Sequence, residues 1–386
     1  MIAYNTNWLD ALRTREAAED WHKKGLLTDE KWKEIQERYT SNFYSPNVFV
    51  RIGLGFFSMI LLSAAMGLIG LFTDPDTEAG LAFLCIFTGV LAFIMLEFWA
   101  IRSARHYGSG VDDILLYFGI GAILAGLLSP LPYNVDELVY YIVALPLLVT
   151  GSVRYLDRIL TISAYICAFM IVFLVVEHLH PALAMYLLPF SGMLFSAGVY
   201  VFSKRGQGRY DLRHWHRQLA TLEILSLVTF YLSGNIWIVL TFGMEMFQLE
   251  RIPLAWFFWA FTFGVPVLYL VLGVQRKDRL LLDIGLGTLA GAVFTFRFFF
   301  HVLPWEWAAV IGGGILLATA YGSIRYLREH PGGAYTNEAD GDLTLLQEIE
   351  EQLIEQTIAS QSPPQPVKKE GFEGGQFGGG GAGENF

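Results

Sequence analysis

Residues 79–101 read AGLAFLCIFTGVLAFIMLEFWAI, and Glu97 is the only charged residue in this stretch. The hydrocarbon core of a bilayer requires roughly 20 consecutive apolar residues per helix, so the segment is long enough to cross it. Across the 386 residues, 54% are apolar and 16% are charged, whereas about a quarter of the residues in soluble domains are charged. The sequence therefore predicts an all-α, polytopic integral membrane protein.

Other segments of the same kind bring the prediction to about ten transmembrane helices, joined by short turns such as Asp74-Pro75 and Pro130-Leu131-Pro132. Proline ends one helix or begins the next, so such turns are typical of tight hairpins. The predicted spans are 52–72, 79–101, 113–132, 135–153, 158–179, 181–203, 219–246, 252–275, 280–303 and 305–327. Around this domain, taken as 48–328, we expect a helical hairpin (1–47), a segment with an amphipathic helix (329–359) and a disordered Gly/Pro-rich tail (360–386).

Basic residues alternate along the chain and indicate an orientation. The N-terminal segment and every second loop are rich in arginine and lysine, whereas the intervening loops have almost none except Arg251. By the positive-inside rule, this pattern predicts that both termini are cytoplasmic. The expected location is the bacterial inner membrane, with membrane lipids as the immediate partners.

Two parts of the chain resemble each other. Gly151-Ser152-Val153-Arg154-Tyr155-Leu156 closes span four, and Gly322-Ser323-Ile324-Arg325-Tyr326-Leu327 closes span ten. Upstream, Gly119-Ile120-Gly121 in span three resembles Gly285-Leu286-Gly287 in span nine. These pairings favour a parallel repeat of four helices, spans 1–4 and 7–10, related by an axis along the membrane normal. Glycines at these positions also suit close helix packing, which requires no ligand.

The N-terminal segment 8–40 is predicted to form a helical hairpin. One helix runs to about Lys24, Gly25 makes the turn, and Thr28 caps a second helix that begins at Asp29. Six apolar residues are expected to form a miniature core: Trp8, Leu12, Trp21, Leu27, Trp32 and Ile35. Residues 8–40 and 343–359 are the predicted contacts with a second copy or another protein partner, and no basic surface suited to nucleic acid is present.

The run from Trp21 to Trp32, WHKKGLLTDEKW, leads after Tyr39 into a glycine-rich first span. This opening resembles a bacterial predicted-membrane-protein family catalogued as domain of unknown function 2157. The resemblance covers roughly the first third of the chain. It implies a multi-span protein of the bacterial inner membrane and provides no catalytic residues to carry over.

Ionisable residues near the outer ends of the spans are the candidate binding residues. Arg297 lies in span nine, four residues before His301 on the same helical face, and either extends to the lipid phosphates or faces inward as an anion site. Asn235, beside Gly234, indicates a break in span seven of the kind that frames transporter sites. The substrate-binding candidates are Arg297, His301, Glu177, His178, His180, Glu245 and Asn235. All except Asn235 either line one extracytoplasmic vestibule or are ordinary residues solvated at the membrane interface.

Four carboxylates near the basic loops are expected to form surface ion pairs rather than a proton relay: Glu97, Asp113, Glu223 and Asp283. No catalytic residue, cofactor site or metal site is predicted. The chain has no phosphate-binding loop and no nucleophile elbow, and Glu177-His178-Leu179-His180 lacks the i,i+4 pair of helical zinc ligands.

Three functions remain open from the sequence. The first is a transporter-like or lipid-handling protein with an anion-recognising site near the outer leaflet. The second is a non-catalytic membrane scaffold or accessory subunit that recruits partners through its hairpin and tail. A membrane-embedded enzyme is the least favoured, because no acid and base residues are seen to converge.

Overall fold

The computed structural model describes residues 2–23, 25–132, 134–179, 181–247 and 254–300, with scattered positions between 310 and 325. Within these residues the chain is helical, and its only β contact is an isolated bridge between Tyr44 and His106. The prediction of an all-α polytopic bundle is confirmed. The tenth predicted span, residues 305–327, falls mostly outside the described residues, and so do segment 329–359 and tail 360–386.

The helices follow the hydrophobic segments closely. Eight of them are individually long and apolar enough to cross a membrane, and a bent pair makes a ninth. Their bounds are α1 Thr6–Lys23, α2 Asp29–Arg38, α3 Val48–Gly70, α4 Glu78–Ile94 with a π-helical extension Met95–Ser103, α5 Val111–Leu128, α6 Glu137–Tyr155, α7 Arg158–Leu179, α8 Pro181–Gln207, a 3₁₀ turn Tyr210–Trp215, α9 His216–Gly234, α10 Ile236–Phe247, α11 Ala255–Arg276 and α12 Arg279–Phe300.

Glycines bring consecutive helices into close contact. A Cβ atom added at Gly126 of α5 would lie 2.9 Å from the carbonyl oxygen of Ala82 in α4. In the α11–α12 pair, a Cβ atom at Gly273 would lie 3.0 Å from the backbone nitrogen of Leu282. Lipid offers no hydrophobic drive for helices to associate, so close packing at small residues is a principal source of their attraction.

The N-terminal hairpin forms with the predicted turn and cap. The Thr28 hydroxyl accepts a hydrogen bond from the Lys31 amide at 3.5 Å, at the start of α2. The predicted miniature core is wrong, however, because α2 has no buried residue. Trp8 instead packs edge-on against Phe43, 5.3 Å between ring centroids, with the Arg105 guanidinium 5.1 Å from its ring.

Helix α1 is docked on the transmembrane domain through polar contacts. The Ala3 amide donates to the Arg154 carbonyl at 3.0 Å. Asp10 accepts two hydrogen bonds from Arg213, at 3.2 and 2.9 Å. These contacts join the N-terminal segment to the end of α6 and to the 3₁₀ turn after α8. We call this end of the bundle, with residues 2–47, 103–110, 155–158, 207–216 and 276–279, the basic end.

Candidate functional site

Span seven breaks at Asn235. Helix α9 ends at Gly234, α10 begins at Ile236, and the two helix axes differ by 65°. Asn235 itself is extended, with φ −71° and ψ 124°. The break predicted from Gly234-Asn235 is therefore confirmed, and residues 219–246 do not form one straight helix.

The Asn235 side chain fills the break with hydrogen bonds. It is 3% exposed, and its Nδ2 donates to the Tyr231 hydroxyl at 2.9 Å and to Thr295 Oγ1 at 3.0 Å. Its Oδ1 accepts from the Trp237 amide at 2.9 Å, in the first turn of α10. Asparagine is a favoured N-cap because its side-chain oxygen satisfies amides that have no partner inside the helix.

Two buried threonines complete the junction. Thr262 of α11 accepts from the Ile236 amide at 3.0 Å and donates to the Phe258 carbonyl at 2.7 Å. Thr295 of α12, which accepts from Asn235, donates to the Gly291 carbonyl at 3.0 Å. We call Tyr231, Asn235, Thr262 and Thr295 the Asn235 junction. Non-helical backbone at membrane depth is tolerated only where such groups satisfy it.

The junction lies toward the end of the bundle opposite the basic end. From residue 219, where the predicted span begins, to Gly234, α9 extends about 24 Å at roughly 1.5 Å per residue. The hydrocarbon core is about 30 Å thick. The break therefore lies in the part of span seven that is farther from the basic end, and α10 continues from it at an angle of 65°.

Arg297 is placed on one face of α12 by helical periodicity. It lies one turn after Val293, and residues four apart share a face. Val293 Cγ1 is 3.4 Å from where a Cβ atom would stand on Gly312, which is buried in the tenth segment. The half-buried Arg297 therefore occupies the face of α12 that meets the tenth segment.

Aromatic rings cover other faces of α12 at the same depth. Trp237 of α10 lies 5.5 Å from Phe294 and 5.7 Å from Phe298, between ring centroids. Trp259 of α11 lies 5.2 Å from Phe299. The charged face of α12 is thus framed by aromatic contacts on the α10 and α11 sides.

The predicted vestibule is only partly assembled. Asn235 bonds to Thr295 of α12, whereas Arg297, two residues further along, lies on the opposite face of that helix. His178 instead pairs with Asp136, 2.9 Å from Nε2 to Oδ2. Glu177 is half-buried beside it in the last turn of α7. His180, His301 and the side chain of Glu245 lie outside the described residues.

The four carboxylates predicted to form ion pairs each have a basic partner. The N–O distances are 2.7 Å for Arg154–Glu97, 2.6 Å for Arg51–Asp113, 2.6 Å for Lys204–Glu223 and 3.9 Å for Arg279–Asp283. Glu223 departs from the prediction of a surface pair because its side chain is 2% exposed. A buried carboxylate requires a partner, which Lys204 provides.

A second buried polar cluster, centred on Asp112, was missed from the sequence. Asp112 accepts from the amides of Gly108 and Ser109 at 2.7 and 2.8 Å, and from the Tyr4 hydroxyl at 3.4 Å. Burial, with the Asp112 charge beside it, raises the pKa of Tyr4. In the sequence, Ser109 and Asp112 are three residues apart and precede an apolar run. This is the spacing of a helix capping box, so the sequence does contain a signal for a polar cluster at the start of α5.

No family model, curated protein or solved structure matches this chain. The resemblance of its first third to domain of unknown function 2157 therefore stays a prediction. In the part of the chain that the structure describes, no three His, Cys, Asp or Glu side chains are arranged to hold a metal ion. Both cysteines, Cys85 and Cys167, are buried and unbridged.

Proposed function

We propose that this protein is a transporter-like or lipid-handling protein of the bacterial inner membrane, with both termini cytoplasmic, that recognises an anionic group near the outer leaflet. The observation that carries this proposal is the break in span seven, which the hydrogen bonds of the Asn235 junction stabilise. Broken helices of this kind frame substrate sites in many transporters. The comparison rests on architecture and not on a shared family.

Arg297 is the residue to which we assign anion recognition. The amides at the start of α10 are bonded to Asn235 and Thr262, so the half-helix terminus is occupied by the protein itself. The charge must then come from a side chain, and Arg297 is on the α12 face that meets the tenth segment. An arginine within a membrane span costs at least a few kcal/mol, which favours a functional reason for its retention.

The packing of glycines supports the proposed parallel repeat of spans 1–4 and 7–10. The sequence matches Gly119 with Gly285, and both are closely packed: an added Cβ atom would lie 3.1 Å from the Phe93 ring at the first and 3.0 Å from Leu270 at the second. Gly121 and Gly287, matched in the sequence pairing, both face open space. The two units then differ at their first spans, because α3 is continuous over Val48–Gly70 whereas its counterpart breaks at Asn235. The break would thus be a specialisation of the second unit.

A thiol-accessibility scan of α12 tests the proposal. Cys85 and Cys167 are replaced by alanine, and single cysteines are placed at Gly287, Gly291, Val293 and Arg297. A membrane-impermeant maleimide is then added to sealed vesicles from each side. Gly287 is the matched control because it faces open space on the same helix.

We expect labelling at positions 293 and 297 from the outer side and none at 287, which would show that water reaches the face that meets the tenth segment. Labelling at none of these positions would contradict an outward-facing site. That result would favour the alternative of a non-catalytic scaffold, in which the helices are packed solidly and the hairpin recruits partners.

A further inference from the structure

A cavity of about 250 Å³ lies at the basic end, between α1 and the segment that leads into α9. Its apolar wall includes Leu9, Leu12 and Leu156, and Tyr107 lies beside them. Its polar wall contains three arginines, two histidines and one carboxylate: Arg13, Arg213, Arg217, His214, His216 and Glu16. The cavity is therefore amphipathic, with positive charge concentrated on one side.

The charges around this cavity do not cancel. Arg213 is paired with Asp10 at 2.9 Å, and Arg217 is paired with Glu16. Arg13 has no ion pair with any residue that the structure describes. One full positive charge thus remains at the cavity.

We propose that this cavity binds a phosphate group, either the headgroup of an anionic phospholipid or a small soluble phosphate ester. Arginine suits this ligand because its planar guanidinium donates two parallel hydrogen bonds to phosphate oxygens. Drug-sized ligands occupy pockets of about 300–1,000 Å³, so a smaller cavity fits a headgroup. This site lies at the opposite end of the bundle from Arg297 and is independent of the proposed function.

A phosphate at this position would bridge two parts of the chain. Arg13 belongs to α1, whereas Arg213 and Arg217 belong to the segment 210–217 at the start of α9. A ligand that contacts both sides binds the docked form of α1 and not an undocked one. By mass action, it would hold the N-terminal hairpin against the transmembrane domain.

The test compares Arg13→Gln with Arg15→Gln in the full-length protein. Both changes remove one positive charge from α1, but Arg15 does not line the cavity. The first arm uses nanodiscs of phosphatidylcholine with phosphatidylglycerol, and native mass spectrometry counts the retained phosphatidylglycerol. The second arm uses phosphatidylcholine nanodiscs and titrates inorganic phosphate and glycerol 3-phosphate by calorimetry at constant ionic strength.

We expect saturable binding in one arm. Arg13→Gln should weaken that binding roughly fivefold, the usual effect of one arginine near anionic lipid, whereas Arg15→Gln should leave it unchanged. Binding in the first arm alone identifies a lipid headgroup, and binding in the second identifies a soluble phosphate. Arg13→Lys keeps the charge and should restore part of the affinity if the fold is intact. Equal losses from the two glutamine variants, or no saturable binding in either arm, would overturn the proposal.

Discussion

Replacing Thr262 by valine tests whether the Asn235 junction stabilises the broken span. The change keeps the shape of the side chain and removes its hydroxyl, which accepts from the Ile236 amide at 3.0 Å. Thr88→Val is the matched control. The Thr88 hydroxyl is also buried, but it bonds only to carbonyls of its own helix, Leu84 and Cys85, at 2.8 and 3.2 Å.

The expected cost follows from the amide that loses its partner. A buried polar group left unsatisfied costs about 1–3 kcal/mol, while interhelical polar contacts in membranes average about 0.6 and reach about 1.7 kcal/mol. We therefore expect Thr262→Val to lower the free energy of unfolding by about 1–2 kcal/mol. Thr88→Val should change it by less than about 0.5 kcal/mol, because no amide is orphaned.

Reversible unfolding in mixed micelles, with increasing sodium dodecyl sulfate and tryptophan fluorescence as the signal, measures both free energies. Equal effects of the two valine substitutions would refute the reasoning, because they would show that the hydroxyl of Thr262 contributes nothing through the α10 amide. An unchanged stability in Thr262→Val would have the same meaning.

Three further predictions concern other parts of the fold. Gly126→Ala should lower the free energy of unfolding by about 1–3 kcal/mol in the same assay, because its Cβ would press on a carbonyl oxygen of α4. Gly121→Ala is the control on the same helix and should be near neutral, because Gly121 faces open space. Equal costs for the two variants would contradict this account of the packing. Asp10→Asn removes the half-exposed ion pair with Arg213, which is worth up to about 1 kcal/mol. Limited proteolysis should then cut α1 more quickly, by roughly fivefold at most. An unchanged rate of cleavage would mean that this ion pair does not hold α1 in place. Burial lowers the pKa of His106 in the loop before α5, so the unfolded chain binds a proton at this histidine more tightly than the folded chain does. Thermal stability should therefore fall as the pH drops below about 6.5. His106→Gln should flatten this pH dependence, and an unaltered pH dependence would exclude this histidine as its cause.

The spans were predictable because each depends on local composition. A run such as residues 79–101 can satisfy its backbone only as a helix in lipid, whatever surrounds it. The break at Asn235 was also predictable, because an asparagine that follows a glycine inside an apolar run is a local stop signal. The N-cap at Thr28 was found from the sequence for the same reason.

Contacts between distant parts of the chain were not predictable. Asn235 and Thr295 are 60 residues apart, and their hydrogen bond depends on how α9, α10 and α12 pack. Asp10 and Arg213 are 203 residues apart, and the sequence of the hairpin alone favoured a self-contained core. The burial of Glu223 likewise depends on its neighbours, because its position near a span end is the same as that of an exposed carboxylate.

The most direct test of the proposed anion site is the charge preference of thiol reagents at position 293. In a protein without Cys85 and Cys167, separate samples of Val293→Cys are treated from outside with a sulfonate-bearing or a trimethylammonium-bearing methanethiosulfonate. Each rate is divided by that of a free thiol, and Gly287→Cys, which should react with neither reagent, is the negative control. We predict that the anionic reagent reacts preferentially at position 293 and that Arg297→Gln abolishes the preference. Equal normalised rates, or a preference that persists in Arg297→Gln, would contradict the assignment of anion recognition to Arg297.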